Sequence, residues 1–108
     1  MKKTVFIDTD VILDLFLLRE PFSQNASRLF AQVENGACLG CTSALVFANL
    51  HYLLRRQRQA AFARQTLSTL AELLKVLPVD SKVIRLALAS RFKDFEDGVQ
   101  FYTALEGG

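Results

Sequence analysis

Two groups of carboxylates carry the most chemical promise in this chain: Asp8, Asp10 and Asp14 near its start, and Asp94, Glu96 and Asp97 near its end. Oxygen donors of this kind suit hard divalent cations such as Mg²⁺ or Mn²⁺, which keep several water ligands. Acid pockets of this kind flanked by basic surface would suit a metal-dependent enzyme acting on a polyanion. Asp8 is the sharpest case, because it directly follows the apolar run Thr4-Val5-Phe6-Ile7. A charge abutting a buried run costs desolvation free energy unless a cation or a donor compensates it. The plainer reading of these acids is helix capping, with Thr9 or Asp10 opening a first helix and Asp94 a last one. Capping explains the run Asp94, Glu96, Asp97 less well, since like charges repel unless a cation lies nearby.

The elements that must position these residues follow from periodicity. A continuous apolar run before Asp8 suits a strand buried on both faces, and after Asp8 the period turns helical, with Val11, Ile12, Leu15 and Leu18 on one side. The carboxyl end of a strand is where open α/β sheets bind ligands. Ser23 is a candidate cap for a second helix bearing Ala26, Leu29, Phe30 and Val33, which Gly36 closes. Ala37 to Cys41 reads as a strand, and Thr42-Ser43 opens a helix to Gln57 that carries Asn49 among apolar residues. Further helices span 60–74, 81–90 and 98–105, with a strand over 75–79 and a closing Gly107-Gly108. Strands alternating with helices predict a three-layer α/β/α domain with a central parallel sheet and right-handed connections.

Composition sets the bounds. At 108 residues the chain makes one domain, and 51% hydrophobic content with nine Phe supplies a core. No apolar run is long enough to span a bilayer, and Met1-Lys2-Lys3 leads into a strand without a cleavage site, so the cytoplasm is the expected compartment. A net charge of +2 diagnoses no polyanion binder, but Arg55, Arg56 and Arg58 cluster at a helix end. There they meet exposed carbonyls, a cheaper explanation than phosphate contact. Cys38 and Cys41 stand on opposite faces of their strand, which disfavours a disulfide or a shared metal and predicts buried, reduced thiols. His51 points nearly opposite to Asn49, and Tyr52 and Tyr102 are expected to pack.

Taken together, Val5-Phe6-Ile7-Asp8-Thr9-Asp10-Val11-Ile12-Leu13-Asp14, Arg19-Glu20-Pro21, Ser43-Ala44-Leu45, Ala48-Asn49-Leu50 and Phe92-Lys93-Asp94-Phe95-Glu96-Asp97 resemble PIN-domain ribonucleases. The resemblance is to the small bacterial single-domain type related to toxins of toxin-antitoxin pairs, and it covers nearly the whole chain. It implies an Mg²⁺- or Mn²⁺-dependent endoribonuclease in which Asp8 and Asp97 are catalytic metal ligands, aided by Asp94 and Asn49, with Asp10 and Ser43 secondary. Many relatives carry asparagine where Asp10 stands and glutamate where Asn49 stands, so Asn49 brings an oxygen without a charge. Members typically continue with a strand, a Thr-Arg-Asn-like turn, another aspartate and a last strand. Their absence here predicts a C-terminally truncated domain, with the Val5–Ile7 strand as an unpaired edge that invites a homo-oligomer. RNA and a separate antitoxin protein are the partners so implied.

Two rival readings stand beside this one. Asp8-Thr9-Asp10 after an apolar strand is also similar to the first motif of haloacid-dehalogenase-type phosphatases, with Asp8 as nucleophile and Asp10 as acid. That chemistry needs a lysine and later acids after strands, whereas Glu96-Asp97 open a helix. The other rival is a catalytically impaired PIN-like module that binds RNA or protein, a reading favoured by Asn49 and by the absent final acid.

Overall fold

A computed structural model describes residues 2–107. Its elements run β1 (Lys3–Phe6), α1 (Thr9–Phe16), α2 (Ser23–Glu34), β2 (Cys38–Ser43), α3 (Ala44–Gln57), α4 (Ala60–Leu73), β3 (Lys75–Leu77), α5 (Ser81–Ala89) and α6 (Phe95–Glu106). Among the described residues the sheet is wholly parallel in the order β1-β2-β3, with Phe6 opposite Cys41 and Ser43 opposite Leu77. Helices lie on both sides of it, giving the α/β/α layering expected from the alternation.

The larger core joins Ile7, Ile12, Leu50, Leu54 and Leu70, side chains of the β1 end, α1, α3 and α4. A smaller one joins Val83, Ala87 and Val99 where α5 packs on α6. Leu50 is fully buried, so truncating it to alanine costs about 2–5 kcal/mol. Gly40 lets α2 and α4 close on the middle strand: a Cβ there would come within 2.6 Å of the Leu74 side chain and 3.1 Å of Val33.

Several sequence expectations need correction. β1 is not buried on both faces: Lys3 and Thr4 are exposed and Val5 and Phe6 half-buried, because among the described residues β1 pairs only with β2. That is the edge position anticipated for Val5–Ile7. Leu18 does not extend the apolar face of α1, which ends at Phe16; it takes the left-handed position after the helix (φ 52°) and is 72% exposed. Ser23 is the first residue of α2 rather than its cap, and its hydroxyl donates to the Glu20 carboxylate over 2.6 Å. Asn35 is the C-cap of that helix, and Gly36 follows at φ 83°, a conformation that glycine adopts without strain. β2 runs on to Ser43, and β3 stops at Leu77. Gly107 caps α6, while Met1 and Gly108 lie outside the described residues.

Candidate functional site

The carboxyl end of β1 is pinned from two sides. Ile7 N–H donates to the Cys41 carbonyl over 2.8 Å, and the buried Thr42 hydroxyl donates back to the Ile7 carbonyl over 2.7 Å. Asp8, the next residue, is thereby held at the mouth of the sheet. It is also the N-cap of α1, its Oδ1 accepting from Thr9 N–H over 2.7 Å, so neither Thr9 nor Asp10 caps that helix. Asp94 caps α6 in the same way, its Oδ1 accepting from the amides of Glu96 (2.8 Å) and Asp97 (3.2 Å). Both helices thus aim the positive end of their dipoles at the carboxylates beside them.

These two helix starts meet α3 around one open cleft of about 410 Å³. Asp8, Asp10, Asp94, Glu96 and Asp97 line it together with Asn49, Tyr52 and Gln100, and no lysine or arginine does. The fold therefore gathers Asp8, Asp94, Asp97 and Asn49 from three distant segments into one acidic pocket, whose field draws cations.

The run of three acids needs less from a cation than its spacing implies. The Asn49 amide donates to the Glu96 carboxylate over 2.7 Å, and Asp94 is engaged by backbone donors. Glu96, named above only as one of a run of acids, belongs to the site, and so does Gln100, which did not stand among the candidate residues. They lie four apart on α6, one helical turn, which was the available signal.

Ser43 does not line the cleft. Buried at the head of α3, it caps that helix through Val46 N–H (3.0 Å) and donates its own proton to Gln100 Oε1 over 2.6 Å. Its hydroxyl is committed to tying α3 to α6 and orienting Gln100, not to holding water or phosphate. Asp10 reaches the cleft wall with its side chain 84% exposed, 3.4 Å from Arg19, which pairs more closely with Asp14 at 2.8 Å. Tyr52 is the other correction: it does not pack but stands 61% exposed on the cleft, with the Arg56 guanidinium 5.7 Å from its ring centroid. Tyr102 does pack, edge-on against Phe92 and Phe101.

The donor chemistry fits a hard cation, since every candidate ligand is an oxygen. Among the described residues no three acidic, histidine or cysteine side chains converge into a complete ligand group. Mg²⁺ sites commonly use one or two carboxylates and fill the remaining positions with water and substrate oxygen. Cys38 and Cys41 are buried and unbridged, and burial pushes the Cys41 thiol above its ordinary range, partly offset by Lys75. Among the described residues no helix is long and apolar enough to cross a membrane.

The family model described as PIN domain matches residues 4–108. Neither the comparison with curated proteins nor that with solved structures found a match.

Proposed function

Because the chain belongs to the PIN-domain family, a nuclease-type fold whose members typically use divalent metals, we propose that it is an Mg²⁺- or Mn²⁺-dependent endoribonuclease. The observation that carries this reading is the single cleft lined by Asp8, Asn49, Asp94, Glu96 and Asp97, contributed by the starts of α1 and α6 and by α3. Asp8 and Asp97 would hold the metal, with Asp94 and Asn49 assisting directly or through water. A bound divalent ion supplies charge neutralisation at the phosphate and a water acidified for attack.

The chain's own groups do the rest. Asn49, by donating to Glu96, fixes that carboxylate at the cleft wall and places a neutral amide where a second acid would repel it. Ser43 holds Gln100 facing the same space, available to hydrogen-bond a phosphate oxygen or a water. The phosphatase alternative is weakened by Asp10, which pairs with Arg19 at 3.4 Å and whose side chain is 84% exposed. A toxin role with a separate antitoxin, and self-association through the exposed edge of β1, belong to this proposal as well.

The test is cleavage of single-stranded RNA in Mn²⁺ by the full chain and by Asp8→Asn. Asparagine caps a helix as well as aspartate does, so the variant keeps its fold. Metal-dependent cleavage that falls by roughly 100-fold or more in Asp8→Asn supports the reading. A wild-type chain that binds RNA without cutting it in either metal would leave the impaired binding module instead.

A further inference from the structure

A second cavity, of about 420 Å³, adjoins the acidic cleft: Leu53 lines both. Its charge is opposite. Arg19, Arg56 and Arg58 line it with Gln57, and no carboxylate does. Arg19 is already paired with Asp14, but among the described residues neither Arg56 nor Arg58 makes an ion pair. Each lies over an aromatic ring instead, Arg56 over Tyr52 at 5.7 Å and Arg58 over Phe62 at 5.8 Å. Favourable helix-end electrostatics explains basic residues at the end of α3, yet it does not require Arg56 and Arg58, neither with an acidic partner among the described residues, to share one concavity with Arg19.

Tyr52 joins the two cavities. It lines the acidic cleft, while its neighbour one turn on, Arg56, lines the basic one. The guanidinium covers one face of a ring that is 61% exposed, so aromatic surface remains open for another flat group. Arginine over an aromatic ring beside a basic groove is a combination that takes stacked bases and backbone phosphates of single strands.

We propose that Tyr52, Arg56 and Arg58 form a nucleotide subsite beside the acidic cleft. An unpaired base stacks on the Tyr52 ring, and its phosphate is held by the two arginines while the neighbouring phosphodiester lies in the cleft. A base in a duplex is already stacked and cannot take that place, so the subsite selects single-stranded RNA. This inference rests on the nuclease reading for its orientation but is measured by binding.

The experiment uses the full chain carrying Asp8→Asn and a fluorescein-labelled ten-nucleotide single-stranded RNA, with anisotropy read across a salt series. Tyr52→Ala weakens binding roughly 5- to 150-fold, and Tyr52→Phe restores it to within about twofold. Arg56→Gln and Arg58→Gln each reduce the slope of log K against log salt by about 0.7. The corresponding duplex binds more weakly than the single strand, and Tyr52→Ala leaves its affinity unchanged. Unchanged single-strand affinity in Tyr52→Ala, or equal loss in Tyr52→Phe, overturns the subsite, as does wild-type-like salt dependence in both arginine variants. Metal-dependent cleavage by the Asp8 chain, measured in parallel, judges the nuclease reading separately: cleavage with no Tyr52 effect keeps that reading and discards the subsite.

Discussion

The side-chain amide of Asn49 donates to the carboxylate of Glu96 across 2.7 Å, joining the second turn of α3 to the first turn of α6. A neutral amide here relieves what would be a carboxylate pair. Asn49→Asp should therefore lower the melting temperature in EDTA by a few degrees, since a change of about 1 kcal/mol shifts a domain of this size by 4–8 °C. Mn²⁺ should raise the melting temperature of the variant more than that of the wild type, because a cation offsets the new repulsion. Thermal melts with and without metal read both effects, and an equal metal response in the two proteins would count against a cation in this cleft.

Asp8 owes its position to a residue that never touches the cleft. Thr42 is fully buried, and its hydroxyl satisfies the carbonyl of Ile7, the residue before Asp8. Thr42→Val keeps the shape but leaves that carbonyl short of a donor, at a cost of about 1–3 kcal/mol by denaturant titration. Cleavage at a temperature where the variant is still folded should fall as well. The control is Thr103→Val: the Thr103 hydroxyl on α6 is buried with no hydrogen-bond partner among the described residues, so removing it should leave stability unchanged or raised.

Much of this was legible in the sequence where the signal is local. The change of period at Asp8 marks the junction of β1 and α1, and α3 begins after Ser43 and ends at Gln57 as its pattern indicates. The capping by Asp94 follows from residue type. What escaped depends on how elements pack across the fold. Helical spacing puts Asn49 on a face but does not say that Glu96 will meet it, nor that Ser43 will find Gln100. The same holds for Tyr52, which sits beside apolar Leu53 and Leu54 yet is exposed because the α6 start leaves a cleft in front of it. Periodicity alone misreads β1 for a related reason: an apolar run reports what a strand could bury, not how many neighbours it has, and the edge position followed only from the family resemblance.

Burial of Cys41 within β2 makes stability fall with rising pH. Desolvation disfavours the thiolate, so the folded-state value lies above the ordinary 9.0, and the unfolded chain releases its proton first. The folded state therefore binds more protons than the unfolded one between 9.0 and the raised value. Stability is full below that window and declines through it. Cys41→Ala should flatten this slope in denaturant titrations across the alkaline range, although it also costs some packing at neutral pH. Thiol-reactive probes should label Cys41 slowly until the protein unfolds.

Asp94 combines two roles that substitution can separate. Its Oδ1 is taken by the amides of Glu96 and Asp97, while its second oxygen is free to meet a cation in the cleft. Asparagine retains the cap and removes the charge; alanine removes both. Asp94→Asn should therefore melt within about 1 kcal/mol of the wild type and Asp94→Ala about 0.5–2 kcal/mol below it. If the charge assists the metal, the two variants lose Mn²⁺-dependent cleavage to a similar extent, roughly 10- to 100-fold, and need more metal for half-maximal rate. Full cleavage by Asp94→Asn at wild-type metal concentration would instead reduce the residue to a cap, leaving Asp8 and Asp97 as the acids on which the cleft's chemistry depends.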